Sequence, residues 1–330
     1  MNAGIKSEMA TGTIAMLSLS LFSCVKPLAR QAIMLPKKTK RILFLGDSIT
    51  AHGLYAAYVE TGVDLHDKNQ PFTFINCGLS SETVSGLSEP DHADGAFPRP
   101  DLHERLGRVL AQIKPDVVFA CYGMNDGIYL PPDEARFRAF QAGMQSLQES
   151  VAAAGATMIH VTSPVYDDFL GKNPQYSEVL AAQAAWLLEK RRDGWNVIDV
   201  YGPMAAFLSK QRKLDPQFKL AEDGVHPGPL GHWLIAKEIL ASLGLSQAAD
   251  CQDVEALVAT HPKGQAILRL ITEREESLRD AWLTTTGHKR PGLNPGLPLA
   301  LAEAKSQEIH AAIQSLIVPT TPTSAQPTQK

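Results

Sequence analysis

Short apolar runs rich in β-branched and aromatic residues alternate along this chain with longer stretches whose apolar positions recur every three or four residues. The short runs, at 41–45, 72–76, 116–122, 157–161 and 196–199, read as strands buried on both faces. The longer stretches, at 54–67, 101–113, 133–154, 177–192 and 229–243, read as helices. That alternation is the pattern of a parallel sheet with crossover helices, so the expected class is α/β, as a three-layer α/β/α sandwich. Lys114-Pro115 marks the break before the third strand, because proline disfavours helix for the residue ahead of it. The pattern assigns no element to 200–228. Two long loops rich in Gly, Pro and Asp, 85–100 and 162–176, leave the carboxyl ends of predicted strands, and both are expected to wall a cleft.

After about residue 245 the rhythm changes. Helices are expected at 254–259, 264–283 and 297–317, with a break across 286–292. Residues 318–330, rich in Thr, Pro, Ser and Gln, read as a disordered tail. The chain thus divides into a main domain at 40–246 and a helical extension at 247–317. Trp282 and Leu283, with Leu297, Leu299 and Leu301, give the extension the large apolar groups of a docking face, so it should pack on the main domain. His288, Lys289 and Arg290 fall on its connecting loop and are expected in solvent, the alternative being that they reach the cleft and meet an acidic sugar.

Composition changes the picture at the N-terminus. The 330 residues are 44% hydrophobic and 20% charged, with net charge −4, which suits a globular protein and gives no basic excess for nucleic acid. Residues 1–24 depart from this average: Lys6 precedes the uncharged apolar run 9–22. That run is too short for a comfortable membrane span and has the length of a signal-peptide core. Ser23-Cys24 resembles a bacterial lipoprotein cleavage box, which makes Cys24 a candidate lipid attachment site. The expected location is therefore exported, periplasmic or at the cell envelope, with a linker at 25–39. Without Cys24 three cysteines remain, an odd count that argues against a disulfide framework. Cys77 and Cys121 end apolar runs and read as buried thiols.

Candidate chemistry gathers at the ends of the predicted strands. Gly46-Asp47-Ser48-Ile49 follows the first strand directly, and a serine at the tip of such a turn is where α/β enzymes place a nucleophile. Gly78 follows the second strand in Asn76-Cys77-Gly78, and Gly123-Met124-Asn125-Asp126 follows the third. Far downstream, Asp223-Gly224-Val225-His226-Pro227 sets an acid and an imidazole three positions apart, ahead of a helix. A serine hydroxyl needs a base, and His226 with Asp223 behind it suits that task. Asp47, His52 and Asp126 are candidates for the surrounding pocket, with Asp47 and Asp126 expected to order their turns through backbone hydrogen bonds rather than to do chemistry. His232 is expected to pack or to face solvent, His160 to be a satisfied buried polar group, and the remaining histidines to lie on the surface.

These four blocks, in this order, resemble the SGNH (GDSL-type) hydrolase family, over roughly residues 40–245. The resemblance implies a flavodoxin-like fold, Ser48 as nucleophile, and Asp223 and His226 as its triad partners. It also implies Ser48, Gly78 and Asn125 as oxyanion donors. The implied reaction is hydrolysis of an O-acyl ester through an acyl-enzyme, with no cofactor and no metal. Acetylated carbohydrate is the first expectation for the substrate, and a lipid ester or thioester the second. The alternative class is a catalytically idle glycan-binding or structural lipoprotein on the same scaffold. No Gly-x-Gly-x-x-Gly or Gly-Lys-Ser/Thr phosphate loop and no Gly-x-Ser-x-Gly elbow occurs.

Overall fold

The computed structural model describes residues 30–67, 72–173 and 175–317. Cys24 and the predicted signal and tail lie outside them. The five predicted strands form one parallel sheet: β1 (Arg41–Gly46), β2 (Thr73–Asn76), β3 (Val117–Cys121), β4 (Thr157–Val161) and β5 (Asn196–Ile198). Their order is β2-β1-β3-β4-β5. In register, Leu43 pairs with Ile75 on one side and Val118 on the other. The order reverses between β1 and β3, so a crevice opens there beyond the carboxyl ends of the strands, where ligands bind in such sheets.

Side chains alternate along β1, and each face is covered. Ile42 and Phe44 join a core with α2 (Leu54–His66) and α7 (Pro229–Ser242), to which Tyr55, Val59, Trp233 and Ile239 contribute. Leu43 and Leu45 join the opposite core with α3 (Leu102–Ile113) and α4 (Glu134–Ala153), built from Leu106, Val109, Phe140 and Met144. Asp101 caps α3 by accepting the His103 N–H at 2.9 Å, and Asp133 caps α4 by accepting the Arg136 N–H at 2.8 Å. Between β1 and α2 lies a single turn, α1 (Ser48–Ala51). On the far side of the sheet, α5 (Tyr176–Glu189) runs into a 3₁₀ turn (Lys190–Asp193) ahead of β5.

The sequence pattern misses one long element, α6 (Tyr201–Leu214). Gly202-Pro203 reads as a turn, yet proline is tolerated in a first helical turn, where its missing N–H has no intrahelical acceptor. Asp199 supports that turn by accepting the Gly202 N–H at 2.9 Å.

The extension consists of α8 (Ser246–Ala249), α9 (Val254–Ala259), α10 (Gly264–Thr286) and α11 (Leu299–Ile317). It packs on the main domain as expected. Leu278, Ala281 and Trp282 enter the core of the α3/α4 face, while Ile267, Ile271, Ile309 and Ile313 pack with Ala57 and Leu65 of α2. The buried Arg274 and Glu60 pair across that seam. Leu297 and Leu301, expected in the docking face, are 48% and 60% exposed; isoleucines farther along α11 take that place instead. Among the described residues no helix is long and apolar enough to cross a membrane.

Candidate active site

β1 ends at Gly46, and the chain turns at once into α1, which leaves Ser48 half-buried over the crevice. Asp47 is the N-cap of that turn: its carboxylate accepts the Ile49 N–H at 2.9 Å. Burial pushes Asp47 up to about 7, against the pull of that hydrogen bond. Its place in the structure is therefore under the nucleophile turn rather than in the pocket. The imidazole of His226 arrives from the loop ahead of α7, and its Nε2 lies 2.8 Å from Ser48 Oγ. Its Nδ1 lies 2.6 Å from Asp223 Oδ2, while Asp223 Oδ1 accepts the N–H groups of Val225 and His226 at 2.9 and 2.8 Å. Burial alone would raise Asp223; the ring and backbone hydrogen bonds outweigh it and hold the carboxyl below its usual range. The result is a hydrogen-bonded row from carboxylate to imidazole to hydroxyl, the arrangement that turns serine into a nucleophile.

This row depends on a close backbone approach. Gly224, next to Asp223, has φ +80°, and a Cβ on it would lie 2.6 Å from Gly171 N. The Asp167 N–H also donates to Gly224 O at 2.9 Å, and Arg212 of α6 pairs with the Asp167 carboxylate. Loop 162–176 thus props up the Asp223–His226 loop.

The oxyanion side differs from expectation in one respect. Gly78 donates its N–H to Asn76 Oδ1 at 2.8 Å, so that donor is engaged within its own loop. The need for glycine is steric: a Cβ there would lie 2.7 Å from Thr50 C and 2.9 Å from Ala51 Cα. Its φ is not positive. Asn125 is held at both ends of its amide, with Tyr129 donating to Oδ1 at 3.1 Å and Nδ2 donating to Glu82 O at 3.1 Å. This network fixes which way the amide points and leaves the second Nδ2 hydrogen for another acceptor. Ser48 is the first residue of α1, where the backbone N–H has no intrahelical acceptor. Asp126 is buried and accepts the Val84 and Ser85 N–H groups, each at 2.8 Å; burial pushes it up to about 6. It orders the loop after Glu82 and does not line the pocket.

Residues 44–234, more than half of the chain, match the model of the GDSL-like Lipase/Acylhydrolase family. The chain belongs to that family. It is a serine hydrolase of ester bonds. No curated protein matches this acylhydrolase in sequence. Among solved structures, it is similar to a gut microbial diltiazem-metabolizing enzyme, with 21% identity and a TM-score of 0.52 over 66% of this chain and 49% of that one. The acylhydrolase therefore spans about half the length of that enzyme. It is also similar to an acetylxylan esterase from Geobacillus stearothermophilus, with 23% identity and a TM-score of 0.44 over 62% of this chain and 94% of that one. An α/β hydrolase from the metagenome of Lake Arreo, Spain, gives 21% identity and a TM-score of 0.46, with coverages of 62% and 95%. At these identities the likeness is one of fold, and only the first enters that argument.

Beneath the oxyanion side lies a pair that the sequence did not reveal. Arg105 of α3 meets Glu82 in a two-pronged contact at 2.6 and 2.7 Å, and both side chains are buried. The same guanidinium donates to Cys77 O at 2.8 Å, and the Tyr122 hydroxyl donates to Glu82 Oε2 at 2.6 Å. The acylhydrolase thus ties down the carbonyl just before Gly78 and the residue whose carbonyl holds Asn125. Cys77 and Cys121 are buried free thiols, as expected, and burial pushes Cys77 up to about 12.

A cavity of about 580 Å³ opens from Ser48 and Gly78. His52 lines it, as expected. Its Nδ1 lies 3.0 Å from Nε2 of His232, which is buried rather than facing solvent. Burial brings His232 down to about 3; burial, together with the nearby His226 and Arg279, also lowers His52. The expected walls are absent from the lining. Neither loop 85–100 nor loop 162–176 lines it; Ser85 instead donates to Asp126, and Asp167 to Gly224 O. The opposite wall is α10 and the connector to α11, including His288, which was expected in solvent. Lys289 lies instead 4.0 Å from Glu104, and Arg290 lies over the Phe97 ring. His160 is buried and meets Gln148 Oε1 at 2.9 Å through Nε2, but its Nδ1 has no partner among the described groups.

Proposed function

We propose that this chain is an exported esterase that removes short O-acyl groups, acetyl foremost, from a carbohydrate or a similar polyhydroxylated alcohol. The observation that carries the reading is the unbroken row Asp223–His226–Ser48, whose Ser48 opens on a cleft lined mainly by polar side chains. In the proposed cycle His226 Nε2 takes the Ser48 proton as Oγ attacks the acyl carbon, and Asp223 holds the ring tautomer and stabilises the imidazolium. The oxyanion is met by the Ser48 N–H and the second Nδ2 hydrogen of Asn125. Protonated His226 then gives its proton to the departing alcohol. Water, activated by the same imidazole, releases the acyl group as the acid and restores Ser48.

A long acyl chain would call for a continuous apolar lining, and the cavity sets Ala51, Leu54, Leu283 and Leu293 among polar neighbours. That weighs against a lipase. The assembled row weighs against an idle module. Export through residues 1–24, with lipid on Cys24, completes the reading, and Cys24→Ser should abolish labelling by a fatty-acid analogue in the native host.

A fluorophosphonate probe tests the chemistry. It should label the wild type at Ser48 and leave Ser48→Ala unlabelled, with the variant's turnover of p-nitrophenyl acetate reduced on the order of 10⁶-fold. A variant that kept a tenth of the wild-type rate with its fold intact would overturn the assignment.

A further inference from the structure

The geometry points to α10 and its connector to α11 as the subsite for the alcohol half of the ester, built to select a neutral polyhydroxylated alcohol; this rests on the esterase reading above. The cavity at Ser48 has one wall from the family region and one from α10 and its connector, all of it beyond residue 234. That second wall is fixed against the nucleophile. Arg279 donates through Nη1 to Ala51 O at 2.6 Å, on the same short helix as Ser48. One turn earlier on α10, Glu275 accepts from Asn76 Nδ2 at 2.6 Å, on the side chain that holds Gly78. The connector is pinned in turn, with Gly296 N–H donating to Thr284 Oγ1 at 2.8 Å.

The groups this wall presents decide the ligand. Arg279 already answers the Asp280 carboxylate at 2.9 Å as well as Ala51 O, so its charge is engaged. Glu276 and Asn294 are exposed side chains on the cavity, and neither has a hydrogen-bond partner among the described residues. His52 adds its Nε2, since Nδ1 is engaged by His232. A carboxylate accepts from hydroxyl donors, and an amide and an imidazole both donate and accept. A sugar satisfies all three, and Leu54 and Leu293 give its C–H faces an apolar contact. A plain aliphatic alcohol leaves these groups unanswered, and a site built to hydrogen-bond a hydroxyl rejects an analogue lacking it. An anionic sugar would meet the carboxylate of Glu276, unpaired among the described residues, since Asp280 and Arg279 answer each other.

The test compares full-length proteins on p-nitrophenyl acetate, O-acetylated cellobiose and O-acetylated glucuronic acid. The wild type should favour the cellobiose ester over the glucuronate ester by about ten-fold or more in kcat/KM. Glu276→Gln and Asn294→Ala should each raise KM for the cellobiose ester by roughly ten-fold, which lowers its kcat/KM relative to p-nitrophenyl acetate. Glu308→Gln, on the exposed face of α11, should leave that ratio unmoved. A ratio unchanged in both cavity variants, or a preference for the glucuronate ester, overturns the subsite while leaving the esterase reading intact. Failure of the wild type to hydrolyse any of the three esters, with no fluorophosphonate labelling, overturns the esterase reading and the subsite with it.

Discussion

Replacing Arg105 by methionine should both destabilise the protein and slow it. In the folded chain the guanidinium has three acceptor contacts, two on Glu82 and one on Cys77 O, and it is 1% exposed. Methionine fills much of the volume but leaves a buried carboxylate whose remaining side-chain donor is Tyr122. Burial already pushes Glu82 up, and with Arg105 gone the largest opposing influence is lost, so the carboxyl takes up a proton. Breaking one side of such a pair costs about 3–5 kcal/mol. For a chain of this length that corresponds to a fall of about 4–7 °C in Tm. Because Cys77 O precedes Gly78 and Glu82 O holds Asn125, kcat should fall as well, with a smaller effect on KM. The pair's own net contribution is modest, since Arg105 Nη1 has no partner among the described groups. Glu82→Leu combined with Arg105→Met should therefore recover part of the lost Tm, because no unpaired charge remains. Thermal melts at neutral pH and steady-state rates on p-nitrophenyl acetate give both readouts. A fall in Tm below about 2 °C in the single variant, with kcat unchanged, would refute the claim that this pair holds the oxyanion side in place.

Other outcomes follow from the same geometry. Gly78→Ala should lose both activity and stability, since its Cβ would meet the backbone of Thr50 and Ala51 and push the loop away from the nucleophile turn; wild-type rates in this variant would remove the steric argument. Asn125→Ala should lower kcat on the order of 10²–10³-fold with little change in KM, and an effect confined to KM would make Asn125 a substrate contact instead. Glu275 is pushed up to about 8, chiefly by burial, so the folded state holds a proton that the unfolded state releases above its ordinary carboxyl range. Stability is then lost as pH rises through that window to about 8. Glu275→Gln should consequently gain in Tm relative to the wild type between pH 5 and pH 9, and parallel curves across that range would show that Glu275 is not held protonated.

Much of the framework was legible because it rests on short-range rules. A strand buried on both faces must be apolar throughout, and 41–45 reads so directly. Pro115 and the capping Asp101 and Asp133 mark helix limits in the sequence itself. The nucleophile turn and the Asp223–His226 spacing are local patterns too, which is why both could be singled out in advance. Contacts between residues far apart in the chain leave no such trace. Arg105 sits in an amphipathic helix where any arginine would pass for a solvated one, and Glu82 stands in a loop of small polar residues. His52 and His232 are 180 positions apart. The cleft wall was misassigned for the same reason: loops 85–100 and 162–176 leave the correct ends of their strands, but what seals the pocket comes from α10. Only folding the chain back across β2 shows it.

That fold-back also sets an order of events during synthesis. β2 is an edge strand, and its open side is covered by α10, which begins 188 residues later in the chain. At about 5–20 residues per second on the ribosome, the strand waits about 10–40 s before its cover exists. An uncovered edge is a template for pairing with another chain. The last quarter of this protein therefore acts as its own late-arriving guard, and any pause in translation between β2 and α10 lengthens the interval in which nascent chains can associate through that strand.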